Sequence, residues 1–365
     1  MDPLTHILMG ATTAQLGFRQ RLGRGATWAA IVATVVPDLD ILAGPVLRAV
    51  GADLDGGNPW AIHRGLSHSL LVAPILALPI AAAWWKMQRR RLQNEPPDAG
   101  GAREGPPPAP FGLLYACVLV AGLTHPLLDW STAYGTQILA PITATRYAAS
   151  FLPIIDIFFT PMLALTLLAC WLARKGSLGR ARRATLVIGW AGFLLSIGYL
   201  VAGAVLHDRA ANLARALAGG TRIVRAEAYP ALGSIFVWRA VIETDKQWIA
   251  ARIRPLASAA PRHESAPKQG SAWIERAREL PEVRSYLSFA TGLVRAAESE
   301  RDGLHVVELH DMRYGLRPES IESLWPLQVT FDKEGNVLPV GNRPPHPAGN
   351  RWRLVKETWA DLWRP

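Results

Sequence analysis

Two cysteines in 365 residues, Cys117 and Cys170, leave no CxxC pair for a zinc knuckle and no framework of disulfides. Each sits in an apolar stretch, where a thiol serves as a small buried side chain. The chain has no Gly-x-Ser-x-Gly nucleophile turn and no glycine-rich nucleotide loop, so neither a serine hydrolase nor a nucleotide-binding fold is indicated. Internal repeats, which mark many transporters, are not evident. Charged residues make up 19% of the chain against 50% hydrophobic, and mean hydropathy is +0.13. That balance is too apolar for a disordered chain or an ordinary cytosolic enzyme.

The apolar residues are unevenly spread. Runs extend from Thr27 to Gly44, Leu66 to Trp85, Phe111 to Trp130, Phe151 to Ala173 and Ala184 to Leu206, each near the ~20 residues that span a bilayer. Trp28, Trp84, Trp85, Trp130 and Trp171 stand near the run ends, where an indole prefers the headgroup region. Leu4 to Phe18 is shorter, a short span or a re-entrant helix. It lacks the basic start of a signal peptide, since its arginines follow it.

Lys and Arg gather at Arg19, Arg21 and Arg24, at Lys86, Arg89, Arg90 and Arg91, and at Arg174, Lys175, Arg180, Arg182 and Arg183. Loops 45–65 and 131–150 are poor in cations. The positive-inside rule then predicts a multi-pass topology with the basic loops cytoplasmic. The formal charge of +10 is thereby accounted for by membrane orientation, and no nucleic-acid partner is expected. Residues 94–110 form a Pro/Gly-rich linker.

After Leu206 the pattern changes to period-two alternation, as in Ser234 to Ile242 and Leu327 to Asp332. Thr244 to Gln247 and Asp332 to Asn336 are predicted hairpin turns, 256–270 a loop, and 271–298 a helical stretch broken near Pro281. The expected fold is a membrane all-α bundle of five to six transmembrane helices over residues 1–206. A small mixed, mainly β, soluble domain follows over 207–365, on the extracytoplasmic side.

Ionisable residues in or beside apolar runs are costly, roughly 2.5 to 3.5 kcal/mol for an aspartate at the bilayer centre. Here they are His6, Asp38, Asp40, His63, His68, His125, Asp129 and Asp156. Imidazole and carboxylate together suit zinc first, then manganese or iron. His125 and Asp129, four apart, share one helical face. Asp38 and Asp40 flank a break expected at Pro37, and a broken helix end can turn both inward. The topology, assigned from Lys and Arg alone, brings all eight to the outer membrane face, His6 only if its segment spans. This predicts one or two divalent ions held by His6, Asp38, Asp40, His63, His68, His125 and Asp129. Asp156 would orient a histidine, and Arg64 is either an anion anchor or an interfacial cation. His207, His263, His305, His310 and His346 have no paired spacing and read as solvated or structural, and Asp311 with Arg313 as an ion pair or a turn.

The ordered series Met1-Asp2-Pro3-Leu4-Thr5-His6, Pro37-Asp38-Leu39-Asp40, His63-Arg64-Gly65-Leu66-Ser67-His68-Ser69, His125-Pro126-Leu127-Leu128-Asp129-Trp130, Tyr134-Gly135 and Ile154-Ile155-Asp156 resembles the YdjM/YbcI-type family of inner-membrane proteins, regarded as metal-dependent hydrolases. The resemblance implies a membrane-embedded metal hydrolase and leaves the substrate open. The combined expectation is an inner-membrane hydrolase. Water activated by metal attacks an ester or phosphoester, lipid-linked or lipid-like, at the extracytoplasmic face. Asp38, Asp40 and Arg64 are the catalytic candidates. An ion or solute transporter with a His/Asp relay, or a scaffold with a structural metal, are the alternatives.

Overall fold

The computed structural model describes residues 1–42, 63–94, 109–175, 178–218, 220–257, 260–315 and 317–342. Most of loop 45–65, the linker apart from its ends, and His346 lie outside the described residues. The described chain falls into a helical unit that runs to Ala202 and a β unit that begins at Gly203 and also takes in Ser150–Pro153.

The helical unit opens with α1 (Pro3–Ala14), started by Asp2, whose side chain accepts from the Thr5 backbone N–H, and by Pro3 in the first turn. After α2 (Phe18–Leu22), α3 (Gly25–Val35) runs into a 3-10 helix over Val36–Leu42. A further 3-10 turn covers Leu66–His68 before α4 (Ala73–Asn94), α5 (Phe111–Trp130), α6 (Phe159–Ala173) and α7 (Leu178–Ala216).

The core joining these helices is built from small side chains, Ala26, Ala29, Ala30 and Ala33 of α3 with Ala77 and Ala81 of α4 and Cys117 and Ala121 of α5. In a bilayer, where lipid tails remove the hydrophobic drive for association, small residues let helices approach until their backbones pack. Gly10 shows how close. A Cβ there would lie 2.7 Å from Thr34 Oγ1 and 2.9 Å from the Ala30 carbonyl oxygen. Both cysteines are buried and free, as expected.

Among the described residues three stretches are long and apolar enough to cross a membrane: Gly25–Leu42, Phe111–Trp130 and Arg180–Ala216. The five to six spans expected from apolar run lengths are therefore reduced, because helices do not start where the runs start. The run from Leu66 forms a turn first, with Ser69 Oγ donating to the Ala140 carbonyl, and its helix carries Lys86, Arg89, Arg90 and Arg91. The run from Phe151 becomes helical only at Phe159, leaving 15 residues. The 12 residues of α1 reach about 18 Å at ~1.5 Å per residue, short of the ~30 Å hydrocarbon core.

The β unit holds two four-stranded antiparallel sheets, ordered β1-β2-β3-β4 and β5-β6-β7-β8. The first comprises β1 (Ile223–Pro230), β2 (Trp238–Thr244), β3 (Gln247–Ile253) and β4 (Arg262–Pro267). The second comprises β5 (Val294–Arg301), β6 (Leu304–Asp311), β7 (Leu327–Phe331) and β8 (Gly341–Asn342). Val241 pairs with Ala250, and Val307 with Val329. Both predicted turns occur, the second with Gly335 at φ 85. Two sequence expectations change. Residues 262–267, expected as loop, pair with β3, and the helical stretch ends after α8 (Ala272–Arg278) and α9 (Pro281–Phe289), giving way to β5. Ile274, Ala277 and Val283 of these helices pack on the second sheet through Val307, Leu309, Val329 and Phe331.

Candidate metal centre

Pro37 lacks an amide hydrogen, and the chain after Val35 tightens to about three residues per turn. At that pitch residues two apart point about 120° from each other, so Asp38 and Asp40 approach one histidine from two sides. Asp38 Oδ1 lies 3.3 Å from His68 Nε2, and Asp40 Oδ2 lies 3.2 Å from His68 Nδ1. On α5, His125 and Asp129 share a face as their spacing predicts, although Pro126 sits between them inside an unbroken helix.

Asp38, His68, His125 and Asp129 each offer one ligand atom, and the four atoms lie within 4.8 Å of one another. His125 Nε2 is 3.4 Å from both Asp38 Oδ1 and Asp129 Oδ2, and His68 Nε2 is 3.3 Å from Asp129 Oδ2. A second grouping, Asp40, His63 and His68, shares His68. There His63 Nδ1 is 2.8 Å from Asp40 Oδ1.

The outer ring of contacts sets which nitrogen faces inward. His125 Nδ1 lies 2.6 Å from the Thr34 carbonyl oxygen, which can only accept, so Nδ1 carries the proton and Nε2 presents a lone pair. His68 is held in the same sense, with Nδ1 against Asp40 Oδ2 and Nε2 toward Asp38 and Asp129. Ser67 Oγ donates to Asp40 Oδ2 at 2.7 Å, and the Arg64 backbone N–H donates to the same oxygen at 3.2 Å.

His6 reaches the cluster from α1. Its Nε2 is 3.2 Å from Asp129 Oδ1, and its ring stacks on His125 at 3.8 Å between centroids. Arg64, with φ at 62, is buried. Its guanidinium lies 3.2 Å from Asp129 Oδ1, donates to Thr132 Oγ1 at 2.9 Å and stands 4.3 Å from the Tyr134 ring centroid. Arg64 thus balances part of the charge of Asp129, while its Nε has no hydrogen-bond partner among the described residues. The Met1 amine also faces Asp129.

The donor set fits a divalent ion. His125 Nε2 and Asp129 Oδ2 are buried without a hydrogen-bond partner among the described residues, although each faces the other groups of the cluster. Burying such atoms unsatisfied costs about 1 to 3 kcal/mol apiece, and a shared cation removes that cost. Two imidazoles and two carboxylates are a donor set common to zinc, manganese and iron, so the metal's identity is left open.

Asp156 is in a different place. Oδ1 accepts from the backbone N–H groups of Phe158 and Phe159, both at 2.8 Å, and Oδ2 accepts from the Tyr199 hydroxyl at 2.8 Å. It starts α6 and ties it to α7, and no histidine is among its partners in the described residues. Ser67 and Tyr134 entered the sequence reading only within the family-like series, and Thr34 and Thr132 were passed over. Their signal was weak: hydroxyls and one carbonyl, groups frequent in any helix bundle.

A family model, described as YdjM inner membrane protein, matches residues 1–210, more than half of the chain. The chain belongs to the YdjM inner membrane protein family. No curated protein and no solved structure gives a match. The YdjM match covers the whole His/Asp cluster and leaves the two sheets outside it. With its apolar helices, family membership assigns the protein to the inner membrane.

Proposed function

We propose that this YdjM-family protein is a metal-dependent hydrolase acting on an ester or phosphoester carried by a membrane lipid. The observation that carries the reading is the four-residue donor set of Asp38, His68, His125 and Asp129, with two inward atoms left without hydrogen-bond partners among the described residues. A divalent ion held there would supply Lewis acidity, acidifying water and polarising the group under attack.

The chain's own residues have separable tasks in this reading. Thr34 and Asp40 hold the outer protons of His125 and His68, keeping both rings turned inward. Asp38, whose side chain is 21% exposed against 0% or 1% for His68, His125 and Asp129, is the carboxylate that an entering substrate and water meet. Its Oδ1 faces His68 and His125, so Oδ2 is the oxygen that would take the proton from the attacking water and return it to the leaving oxygen. Arg64 offsets the negative charge of Asp129 and keeps a buried Nε donor with no hydrogen-bond partner among the described residues.

A lipid substrate is supported by the surroundings. Leu39, Ile41, Leu42, Leu66 and Leu127, next to the cluster in sequence, are all exposed and apolar. A crevice lined by Ala33, Pro37, Ala73, Ile80 and Val118 borders Ser67, the residue bonded to Asp40. The positive-inside reading of five to six spans puts the cluster on the extracytoplasmic side.

The test starts with metal analysis of purified full-length protein in detergent. About one equivalent of zinc, manganese or iron, and chelator-sensitive hydrolysis of a lipid or phosphoester panel, are expected. Protein free of metal after metal-supplemented growth, with stability unchanged by chelator, would sink the proposal.

A further inference from the structure

At the other end of the helical unit the charge is of one sign. The acids described in this unit are Asp2, Asp38, Asp40, Asp129 and Asp156. Asp38, Asp40 and Asp129 belong to the cluster, Asp2 and Asp156 start α1 and α6, and Asp2 N–H bonds to the Ile154 carbonyl. Arg24 precedes the same 18-residue span in which Asp38 lies near the far end, about 20 Å away at ~1.5 Å per residue.

Three arginines from separate segments converge there. Arg19 of α2 bonds to Thr27, whose backbone N–H donates to the carbonyl of Arg24 just before α3 at 3.2 Å, and Arg174 just after α6 bonds to Gln15, whose carbonyl faces Gln20 next to Arg19, so the three like charges share one neighbourhood. Arg19 and Arg174 are partly buried, and burial followed by like charge lowers the pKa of Arg19 from the ordinary arginine value. Their hydrogen-bond partners are neutral. Arg19 Nη1 donates to Thr27 Oγ1 at 3.1 Å, and Arg174 Nη2 donates to Gln15 Oε1 at 2.8 Å. No carboxylate among the described residues pairs with any of the three. The C-terminal dipole of α6 offsets about half a charge beside Arg174, which leaves most of the cluster's charge uncompensated.

Partly burying two like charges beside a third, exposed one without a counter-ion is unfavourable, while a phosphodiester offers the acceptor oxygens and negative charge that guanidinium groups match. The spans flanking this end place it where headgroups lie. We infer that Arg19, Arg24 and Arg174 form a binding site for the phosphate headgroup of an anionic phospholipid, separate from the His/Asp cluster.

The experiment uses the full chain in nanodiscs of phosphatidylcholine alone or with phosphatidylglycerol, read by thermal unfolding and by native mass spectrometry of retained lipid. Phosphatidylglycerol is expected to raise the melting temperature and to be retained, and inorganic phosphate is not expected to reproduce the effect. An Arg19→Gln/Arg24→Gln/Arg174→Gln triple variant should lose the response. Arg89→Gln/Arg90→Gln, which removes two other charges from the end of α4, should keep it. If the triple variant does not fold, Arg24→Gln alone, at an exposed position, should bind the lipid about fivefold more weakly. A response that survives removal of the three arginines, that falls equally in the Arg89/Arg90 control, or that inorganic phosphate reproduces would overturn the inference.

Discussion

The Nδ1 atom of His125 lies 2.6 Å from the carbonyl oxygen of Thr34, one helix fixing the ring of another. That contact decides which nitrogen faces Asp38 and Asp129, and it makes the α3–α5 packing part of the candidate site. The backbone acceptor cannot be removed by side-chain substitution, but the nitrogen it frees can. His125→Ala, and separately Asp129→Ala, should each lose metal by at least about a hundredfold in affinity. Competition with a chromogenic chelator measures this, and retention of full metal content by both would argue against the cluster.

Asp40 contacts the outer nitrogen of His68, whereas Asp38 contacts the inner one. Asp40→Asn keeps the shape and weakens the orienting bond, so metal affinity should fall about 10- to 100-fold. Asp38→Asn should cost more. Equal losses in the two variants would point to Asp40 as a direct ligand through the grouping with His63 and His68.

Asp156 offers a contrasting case. Its carboxylate caps α6 and receives the Tyr199 hydroxyl. Asp156→Ala should lower stability by about 0.5 to 2 kcal/mol, the usual range for a lost cap, and leave metal content unchanged. A variant that folds normally yet loses its metal would restore the expectation that Asp156 orients a histidine.

Gly10 sets the distance between α1 and α3. A methyl group there meets Thr34 Oγ1 at 2.7 Å and the Ala30 carbonyl at 2.9 Å, the latter backbone that cannot turn aside. Gly10→Ala should destabilise by about 1 to 3 kcal/mol in a thermal or chemical unfolding assay. By moving α1 it should also weaken the contact of His6 with Asp129.

In the β unit, burial, and then the nearby charge of Asp311, push the Tyr286 phenol above its ordinary value; burial and then Glu227 do the same for Tyr229. A raised folded-state pKa means that the neutral phenol is favoured in the native state. Its contribution is full below the unfolded value of about 10 and is lost as pH rises through the folded value. Stability measured between pH 8 and 11.5 should therefore fall on the alkaline side. Tyr286→Phe should be less stable near neutrality, because its hydroxyl donates to the Leu309 carbonyl at 3.1 Å and accepts from Asp311 N–H at 3.0 Å. Its alkaline decline should be shallower, and a decline identical to that of the parent would exclude this tyrosine as the source.

The sequence by itself determined the chemistry on offer: an apolar helical half, an alternating half that forms strands, and a set of His and Asp too costly to leave unpartnered in apolar runs. It also determined the i, i+4 pairing of His125 and Asp129, because helical pitch converts spacing directly into a shared face. Only the tertiary structure decided which candidates meet. Asp38 and Asp40 separate because the chain tightens after Val35, and His68 stands between them. Arg64 turns to Asp129, and Asp156 accepts from a helix start and from Tyr199. The number of candidate spans likewise depended on where helices begin. Ser69 and Asp156 direct their hydrogen bonds to neighbouring backbone, delaying helices that run length alone would have started earlier. Those are long-range or competing polar contacts, and hydropathy along a chain carries no record of them.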